Sequence, residues 1–513
     1  LRPDEPGCQT PPDLVYSLVI LSVSRRLRGE LLGVKDETVL NTGFSGKVKL
    51  SLDILLDGVL LNNGLFLGLR DPKEEIVKMG TATFKGGIHP PDKKELSAHS
   101  PITEAKAPKI VVIPLSQHAG APCKPVVSIG QEVKKGEMIG EPGGFVSAPV
   151  HSSVSGKVVA IGEFQNAMGR MVNCIVIEND MKDEWTALKD SPDYMGLSAD
   201  ELKEKIKAAG IVGLGGAAFP TAVKLSPPKE KPIDAVVING AECEPYLTAD
   251  YRLMLEKPKE IVEGLKILMK VLNVQKGLIG IENNKPDAVA RMLEATAGEA
   301  NIKVLPLEVK YPQGAEKMLI KAVLGREVPS RGLPMDVGVV VQNVGTALSI
   351  YEAARFGKPL IERVVTVTGE GIREPKNLMA RVGTKISELV EECGGLKDEV
   401  AKVIAGGPMM GFALSSLDVP VTKGTSGILV LPEEGIVHAE AFGPCIRCGR
   451  CIDVCPMGLM PSMLSLLAEK GHYEDAKEYN LFDCFECGSC TFVCPSKRPI
   501  VQLVRVAKSM VKP

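Results

Sequence analysis

The sequence has no excess of charge of either sign: 61 Lys and Arg stand against 63 Asp and Glu in 513 residues. A protein that follows nucleic acid with its whole surface needs such an excess, so nucleic acid is excluded as a global partner and recognition must be local. Long apolar runs are also missing. The longest near the start, Leu14 to Val23, is about half of the roughly 20 residues that cross a bilayer. A secretory signal is lacking too, because Asp4, Glu5 and Asp13 stand where basic residues belong, and Arg25, Arg26 and Arg28 follow the run instead. No methionine precedes Met79. Residues 1–78 therefore read as an upstream extension, with the functional chain starting near Met79. Finally, there is no disulfide pattern. Eight of 13 cysteines fall in two runs, and Cys8, Cys123, Cys174, Cys243 and Cys393 are scattered singly, which suits a reducing cytosol.

Those two runs are the strongest positive signal. Cys445, Cys448, Cys451, Cys455-Pro456 and Cys484, Cys487, Cys490, Cys494-Pro495 each spell C-x2-C-x2-C-x3-C-P. The first three thiolates of such a run hold one 4Fe-4S cluster, while the fourth is carried away by the following helix and ligates the other cluster. The expected ligand sets are therefore crossed: Cys445, Cys448, Cys451 and Cys494 for one cluster, and Cys484, Cys487, Cys490 and Cys455 for its partner. Zinc needs only four ligands per ion and leaves the third evenly spaced cysteine and the Cys-Pro pair unexplained. A pair of clusters conducts electrons without making or breaking bonds, so the rest of the chain must show where electrons enter or leave.

From Ile110 to Ile177 short β-runs are split by glycine and proline, as in "KIVVIPL" and "APVHSSVSGKVVAIG", which predicts a small all-β sandwich or barrel. His118 and His151 fall here and read as core or surface residues more readily than as ligands. Ser198 and Glu201 form a capping box for a helix ending at Gly210. Next comes "GLGGAAFPTAVK", Gly213 to Lys224, a loop able to bring backbone N–H groups against a phosphate. Strand-like "DAVVING", "GLIGIEN", "IKVLPLEV" and "DVGVVVQN" then alternate with helical stretches, predicting a parallel sheet with helices on both faces. Ligands on such sheets sit beyond the carboxyl ends of the strands, where "NGAECEP" and "QNVGT" can face the glycine loop. Ile361 to about Leu417 reads as a small β-grasp module, and the cluster domain follows from about Gly443, with a helical connection "AEKGHYEDAKEYN" between its motifs.

Several of these segments carry resemblances. The β-rich segment resembles a biotinyl/lipoyl-type barrel-sandwich hybrid, without the lysine-bearing hairpin tip that carries a cofactor. From about Phe84 onward, "FKGGIHPP", "GLGGAAFPTAVK", "NGAECEPYLTADYRLM", "YPQGAEKMLI", "VQNVGTA" and the paired cluster motifs together resemble the C subunit of the Rnf complex, the ion-translocating ferredoxin:NAD oxidoreductase of bacteria. The middle of the chain is also similar to the FMN- and NADH-binding subunit of respiratory complex I. The resemblance implies an α/β multidomain protein. Residues 1–78 have no counterpart in that family; after this extension the order is a barrel-sandwich hybrid over 79–185, a Rossmann-like flavin- and NADH-binding domain over 186–360, a β-grasp soluble-ligand-binding module over 361–420 and a helical two-cluster ferredoxin-like domain over 421–513.

The same resemblance implies FMN and NAD(H) beside the two clusters. It places the flavin against Gly213, Gly215, Gly216, Ala217, Phe219 and Lys224 of the loop, then Asn239, Glu242 and Glu244, then Tyr311, Gly314 and Glu316, then Asn343 and Thr346. Glu244 is expected to position nicotinamide and polarise the flavin edge, Lys224 to pair with phosphate, and the loop amides to cradle the FMN phosphate. Leu214, Ala241 and Ala315 depart from the arginine and two acids of the family pattern, and these bear on the nicotinamide side. A flavin also follows from electron counting: nicotinamide exchanges two electrons as hydride, a cluster exchanges one, and a flavin converts between them.

Implied partners are the integral-membrane and ferredoxin-like subunits of the complex, with ferredoxin as an indirect electron partner. The implied place is the cytoplasmic face of the membrane, held peripherally. The tail, with Lys497, Arg498, Arg505, Lys508 and Lys512, offers an amphipathic helix that reads at least as well as a plain packing helix as it does as a face for an acidic partner or lipid headgroups. Two other readings stand beside this one: a cobalamin reductase of the bacterial microcompartment type, and a flavin-free relay in which the altered loop has lost its ligand.

Overall fold

The computed structural model describes residues 81–434 and 442–512, together with the strands at 37–41 and 47–51. The chain forms two compact units, Leu1–Glu75 and Ile76–Pro513. In the first, β1 (Glu37–Asn41) pairs antiparallel with β2 (Lys47–Ser51), Glu37 opposite Ser51. Apart from this hairpin, the expected extension over 1–78, its apolar run and Met79 lie outside the described residues.

The second unit opens with β3 (Ile102–Glu104), followed by β4 (Ile110–Pro114), β5 (Lys124–Pro125), β6 (Glu132–Val133), β7 (Met138–Glu141), β8 (Val150–His151), β9 (Gly156–Gln165) and β10 (Met171–Asn179). Strands β4 to β10 make two short sheets, in the orders β4-β10-β9-β6 and β5-β7-β8. The two-residue period of a strand explains why both faces of β4 and β10 are apolar. Val111, Ile113, Ile175 and Ile177 fill the interior with Ile139 and Val150, while Val112, Cys174 and Val176 pack outside with Phe164 and Val172. His118 Nε2 accepts a hydrogen bond from Ala148 N at 3.1 Å, and burial pushes His151 down to about 3. Both are core histidines of this barrel.

Helix α1 (Ala199–Ala208) starts at the expected capping box: Ser198 Oγ accepts from Glu201 N, and Glu201 Oε2 accepts from Ser198 N. The chain then runs through α2 (Thr221–Lys224), β11 (Ala235–Gly240), α3 (Ala249–Glu256), α4 (Pro258–Leu272), β12 (Gly277–Glu282), α5 (Pro286–Ala295), β13 (Ile302–Leu307), α6 (Glu316–Leu324), β14 (Val339–Asn343) and α7 (Val344–Phe356). The four strands are parallel, in the order β13-β12-β11-β14. Both faces are covered, as the continuous apolar runs predict: Val236, Ile238, Ile279 and Ile281 pack under α4, α5 and α7, and Val237, Leu278 and Val341 under α6. Helices α4 and α7 cross so closely that a Cβ on Gly264 would lie 1.9 Å from Ala347 O. The order of strands reverses between β11 and β14, which opens a crevice at their carboxyl ends.

The third sheet has six strands, in the order β18-β17-β19-β15-β16-β3, formed by β15 (Glu362–Thr368), β16 (Lys376–Arg381), β17 (Val400–Ala405), β18 (Phe412–Ala413) and β19 (Gly427–Pro432). Helix α8 (Ile386–Glu392) covers it through Ile386, Leu389 and Val390. This sheet reaches beyond 361–420 at both ends of the sequence. β19 is central in it, and β3, drawn from ahead of the barrel, closes its edge beside β16.

The cysteine-rich end holds α9 (Arg450–Asp453), α10 (Pro461–Glu469), α11 (Ser489–Phe492) and α12 (Ile500–Met510). It is a twofold repeat in which each cysteine motif carries one short and one longer helix, with Leu464 and Ala468 of α10 packed against Val504 and Ala507 of α12. The connection expected to be helical is only partly so. α10 stops at Glu469, Gly471 turns left-handed at φ +75°, and a separate 3-10 turn spans Asp475–Tyr479. Among the described residues no helix is long and apolar enough to cross a membrane.

Candidate functional site

The cysteines group across the two motifs. Cys445, Cys448, Cys451 and Cys494 line one cavity together with Ser462 and Arg498. In the other group, burial pushes the Cys484 thiol up to about 11, and the adjacent Cys487 and Cys455 sulfurs push it the same way. Cys490 is raised by burial and then by Cys487, Cys484, Cys455 and Cys451. The fourth cysteine of each run thus stands with the first three of the other. Cys451 and Cys490 share one apolar cluster with Ile500 and Val501, so the two thiol sets are neighbours. Among the described residues no three His, Cys, Asp or Glu side chains close on a point as a single ion requires. Four sulfurs around a shared space are the donor set a cluster needs.

The glycine loop lies across the N-terminus of α7. Gly213 N donates to Phe219 O at 2.9 Å, and Leu214 N donates to Thr346 Oγ1 at 2.9 Å. A Cβ on Gly215 would lie 3.0 Å from Asn343 Nδ2. Asn343 caps α7: its Oδ1 accepts from Gly345 N at 2.8 Å, and its Nδ2 donates to Asp250 Oδ2 at 2.6 Å. Asp250 is half-buried, and loss of solvent around it raises its carboxyl above the ordinary range. The tip, Gly215, Gly216 and Ala217, is exposed. No amide of the tip donates to a described residue, and no atom lies within 4 Å of where a Gly216 Cβ would be. This is an open cradle with free N–H groups, as an anion requires.

Asn239, at the end of β11 and opposite Asn343 in register, donates through Nδ2 to Gly314 O at 2.8 Å and accepts from Ala241 N at 3.2 Å. Gly314 N in turn donates to Cys243 Sγ at 3.2 Å. The loop, Asn239, Gly314, Asn343 and Thr346 are thus drawn to one crevice. Thr221 Oγ1, both amide atoms of Gln313 and Gln342 Nε2 are buried with no partner among the described residues. Buried polar groups are almost always satisfied, and these belong to the segments that frame the crevice.

Other expected residues are brought near the crevice with their polar groups engaged elsewhere. Lys224 Nζ pairs with Glu316 Oε1 and donates to Val341 O at 2.7 Å, tying α2 to the start of α6. Glu242 accepts from Asp250 N at 2.7 Å and Tyr251 N at 3.1 Å, capping α3, and burial raises its carboxyl to about 7. The Glu244 carboxylate turns to the β-grasp loop, where it accepts from Met409 N at 3.1 Å and Met410 N at 2.9 Å. Burial raises it, also to about 7. Tyr311 is 2% exposed, and its hydroxyl donates to Cys487 O at 2.6 Å. Phe219 is exposed beside the tip.

Two lysines that the sequence did not single out hold the segment between Ala241 and Leu247. Lys94 Nζ donates to Glu244 O at 2.9 Å and Leu247 O at 2.6 Å. Lys285 Nζ donates to Ala241 O at 2.8 Å and pairs with Glu282 at 3.3 Å. Both are almost wholly buried, and burial lowers the Lys94 ammonium. "PDKKE" and "NNKPD" read as solvated turns, and nothing in them shows that these cations face inward. The "FKGGIHPP" segment is a strap: Ile88 pairs with Tyr311, and Gly87 N donates to Val454 O at 2.9 Å, next to Cys455.

The tail does not present the expected cationic face. Arg505 and Lys508 are bound to Glu486 at 2.9 and 2.8 Å, and Arg498, 3% exposed, is bound to Glu469 at 2.7 Å. The helix buries Ile500, Val501, Val504 and Ala507 and is an internal strut, so Arg505 and Lys508 meet an acid of the same domain, while Lys497 and Lys512 are exposed.

Family models match the chain in sequence order: the RnfC barrel sandwich hybrid domain over residues 82–182, the Nuo51 FMN-binding domain over 206–352, the SLBB domain over 364–413 and a 4Fe-4S dicluster domain over 444–497. The chain is 53% identical over 429 residues to the C subunit of the proton-translocating ferredoxin:NAD(+) oxidoreductase complex of Clostridium ljungdahlii, covering 83% of this chain and 93% of that one. It is 48% identical over 433 residues to the Na(+)-translocating counterpart of Acetobacterium woodii, covering 84% and 97%. To the C subunit of the ion-translocating oxidoreductase complex of Rhodobacter capsulatus it is 42% identical over 431 residues, covering 83% and 82%. A solved structure of an NAD+-reducing [NiFe]-hydrogenase aligns at a TM-score of 0.43 with 16% identity, over 63% of this chain and 65% of that one, just under two thirds of its length.

Proposed function

Because the chain belongs to the C-subunit family of ion-translocating ferredoxin:NAD oxidoreductase complexes, we propose that it is the subunit in which NAD(H), FMN and two 4Fe-4S clusters exchange electrons. One observation carries the reading. The crevice and the second cysteine motif are joined by Tyr311, whose hydroxyl binds Cys487 O at 2.6 Å, and by the Met409 loop, which touches Gly488 on one side and Glu244 on the other. A two-electron site and a one-electron site therefore share a wall.

FMN bound in the crevice supplies the conversion between hydride and single electrons. The chain's own residues hold and tune it. The amides of Gly215, Gly216 and Ala217 would hold its phosphate, and Phe219 is exposed beside them. Asn239, Gly314, Asn343 and Thr346 keep the loop at the strand ends, and Lys224 acts through Glu316 as a positioning residue. Lys94 and Lys285 place two buried ammonium groups beneath residues 241–247, where they favour negative charge arriving above them. Glu242 holds α3, and Glu244 locks the segment to the β-grasp loop, so its influence on nicotinamide runs through that clamp. Cys484, Cys487, Cys490 and Cys455 hold the cluster nearer the crevice, and Cys445, Cys448, Cys451 and Cys494 the outer one.

The protein is a subunit of a multi-subunit ion-translocating complex. Peripheral docking on integral-membrane subunits at the cytoplasmic face, beside a ferredoxin-like subunit, is the arrangement this role calls for. The relatives favour this reading over a cobalamin reductase. The FMN-binding domain match and the free loop amides favour it over a flavin-free relay. Protein freed of flavin should take up one FMN per chain, followed by loss of FMN fluorescence. Gly215→Val drives a branched side chain toward Asn343 Nδ2, 3.0 Å from where its Cβ would stand. It should weaken FMN binding at least tenfold, about 1.4 kcal/mol, with cluster iron unchanged. Undiminished FMN uptake by that variant would contradict the assignment.

A further inference from the structure

The two cysteine motifs are an internal repeat, and their equivalent positions differ in charge and exposure. Ile446-Arg447 in the first corresponds to Phe485-Glu486 in the second, and Arg450 to Ser489. In the second motif every one of these is covered. Phe485 packs with Ile88, Tyr311 and Met409 against the crevice side, Glu486 is held by Arg505 and Lys508, and Ser489 is fully buried. In the first motif Ile446 is 64% exposed, and Arg447, Cys448 and Arg450 are exposed. Neither arginine side chain has an ion pair or hydrogen bond to a described residue, and the same holds for exposed Lys497 after the Cys494-Pro495 pair; Asp453 is the exposed acid nearby.

Given the electron-transfer reading above, we propose that the exposed face of the first motif docks an electron-carrying protein whose own redox centre sits within an acidic rim. Between Cys484 and Cys490 the second motif is covered, with Phe485 turned to the crevice side, so the open cysteine loop that can meet another protein is that of the first. Ile446 offers a small dry contact beside Cys448, and Arg447, Arg450 and Lys497 ring it with positive charge that no described residue pairs, against the single acid Asp453 on the same short helix as Arg450. Redox encounters use small interfaces, and their rates depend on steering by charge more than on buried area. The helix that follows cannot supply that steering through Arg505 and Lys508, which are bound to Glu486. At each encounter one electron crosses. The carrier's reduced cluster loses it and the cluster held by Cys445, Cys448, Cys451 and Cys494 gains it, with no bond made and no proton moved.

The test uses the full chain reconstituted with both clusters and FMN, and as probe a small acidic two-cluster ferredoxin reduced with dithionite, its oxidation followed by stopped flow at several ionic strengths. The double substitution Arg447→Glu, Arg450→Glu should lower the second-order rate at least about tenfold at low salt and remove its decline with added salt. Arg170→Glu, an exposed charge reversal on the barrel, should do neither. Bleaching of the flavin by NADH should be the same in all three proteins. If iron analysis shows that the double reversal loses a cluster, the pair Arg447→Gln, Arg450→Gln takes its place, with a smaller loss expected in the same direction. An unchanged rate, or an equal loss in Arg170→Glu, overturns the docking face. So does a reversal that abolishes binding to phosphatidylglycerol vesicles while sparing ferredoxin oxidation, since the occupant is then a membrane. Failure of the unsubstituted protein to exchange electrons with either NADH or the ferredoxin would instead strike the underlying electron-transfer reading.

Discussion

Cys455→Ser should remove the cluster held by Cys484, Cys487 and Cys490, and leave intact the one nearest to it in sequence. Cys455 belongs to the first motif, yet the sulfurs it acts on are Cys484, Cys487 and Cys490. The first motif's own triad closes its cavity with Cys494. Serine is a poor substitute for a thiolate, so iron should fall from about eight to about four per chain. The surviving EPR signal should be that of the outer cluster. Cys494→Ser should give the complementary loss. The Cys455 variant should also break electron flow from the flavin, since the remaining cluster is the outer one, while NADH still bleaches the flavin. Selective loss of the sequence-local cluster in Cys455→Ser would refute the crossed arrangement.

Asn343→Ala should be among the most damaging single substitutions outside the cysteines, because three duties meet in one side chain. It removes the acceptor that caps α7 through Gly345 N, 2.8 Å away, at a cost of about 1 kcal/mol. It strips Asp250 Oδ2 of its donor at 2.6 Å, leaving a half-buried carboxyl short of a partner for about 1–3 kcal/mol more. It also removes the surface on which Gly215 rests. Together these predict a loss of about 2–4 kcal/mol in urea unfolding, by the same two contributions, with FMN released. Asn343→Asp separates the duties. It keeps the cap acceptor but sets a second carboxylate against Asp250, whose folded pKa is already raised by burial. A carboxyl raised in the folded state contributes most below its unfolded pKa, and that contribution is lost as pH rises through the folded value. The aspartate variant should therefore approach the parent protein near pH 4 and fall behind it as pH rises to about 8, whereas the alanine variant should trail at both. Equal stability of all three proteins across that range would remove Asn343 from its proposed place.

The crossed grouping of the cysteines was legible because cluster chemistry dictates a spacing, and spacing is what a sequence records. The parallel sheet was legible for a similar reason: strands such as Ala235–Gly240 are buried on both faces, and continuous apolar runs follow. The glycine loop could be read as a turn with available amides because glycine spacing is local, whereas the capping of α7 by Asn343 was not read from the sequence. What could not be read depends on contacts between distant parts of the chain. Glu244 meets the Met409 and Met410 amides across 165 and 166 residues, so it looked like a free acid at the crevice. Lys94 and Lys285 look solvated in their turns and are buried only because residues 241–247 fold over them. Strand β3 has three residues, too few for any period to show. The tail's positive face was real as a pattern, but Glu486 and Glu469, which neutralise it, come from elsewhere in the domain.

One measurement is decisive: anaerobic titration of the chain, reconstituted with iron, sulfide and FMN, against NADH, following flavin absorbance near about 450 nm and then cluster EPR. The prediction is that NADH bleaches the flavin and that reduced-cluster signals follow, the cluster lost in Cys455→Ser being required for the outer one to be reduced. Bound FMN that NADH leaves oxidised, or a bleached flavin with both clusters still oxidised in the presence of excess NADH, would contradict it.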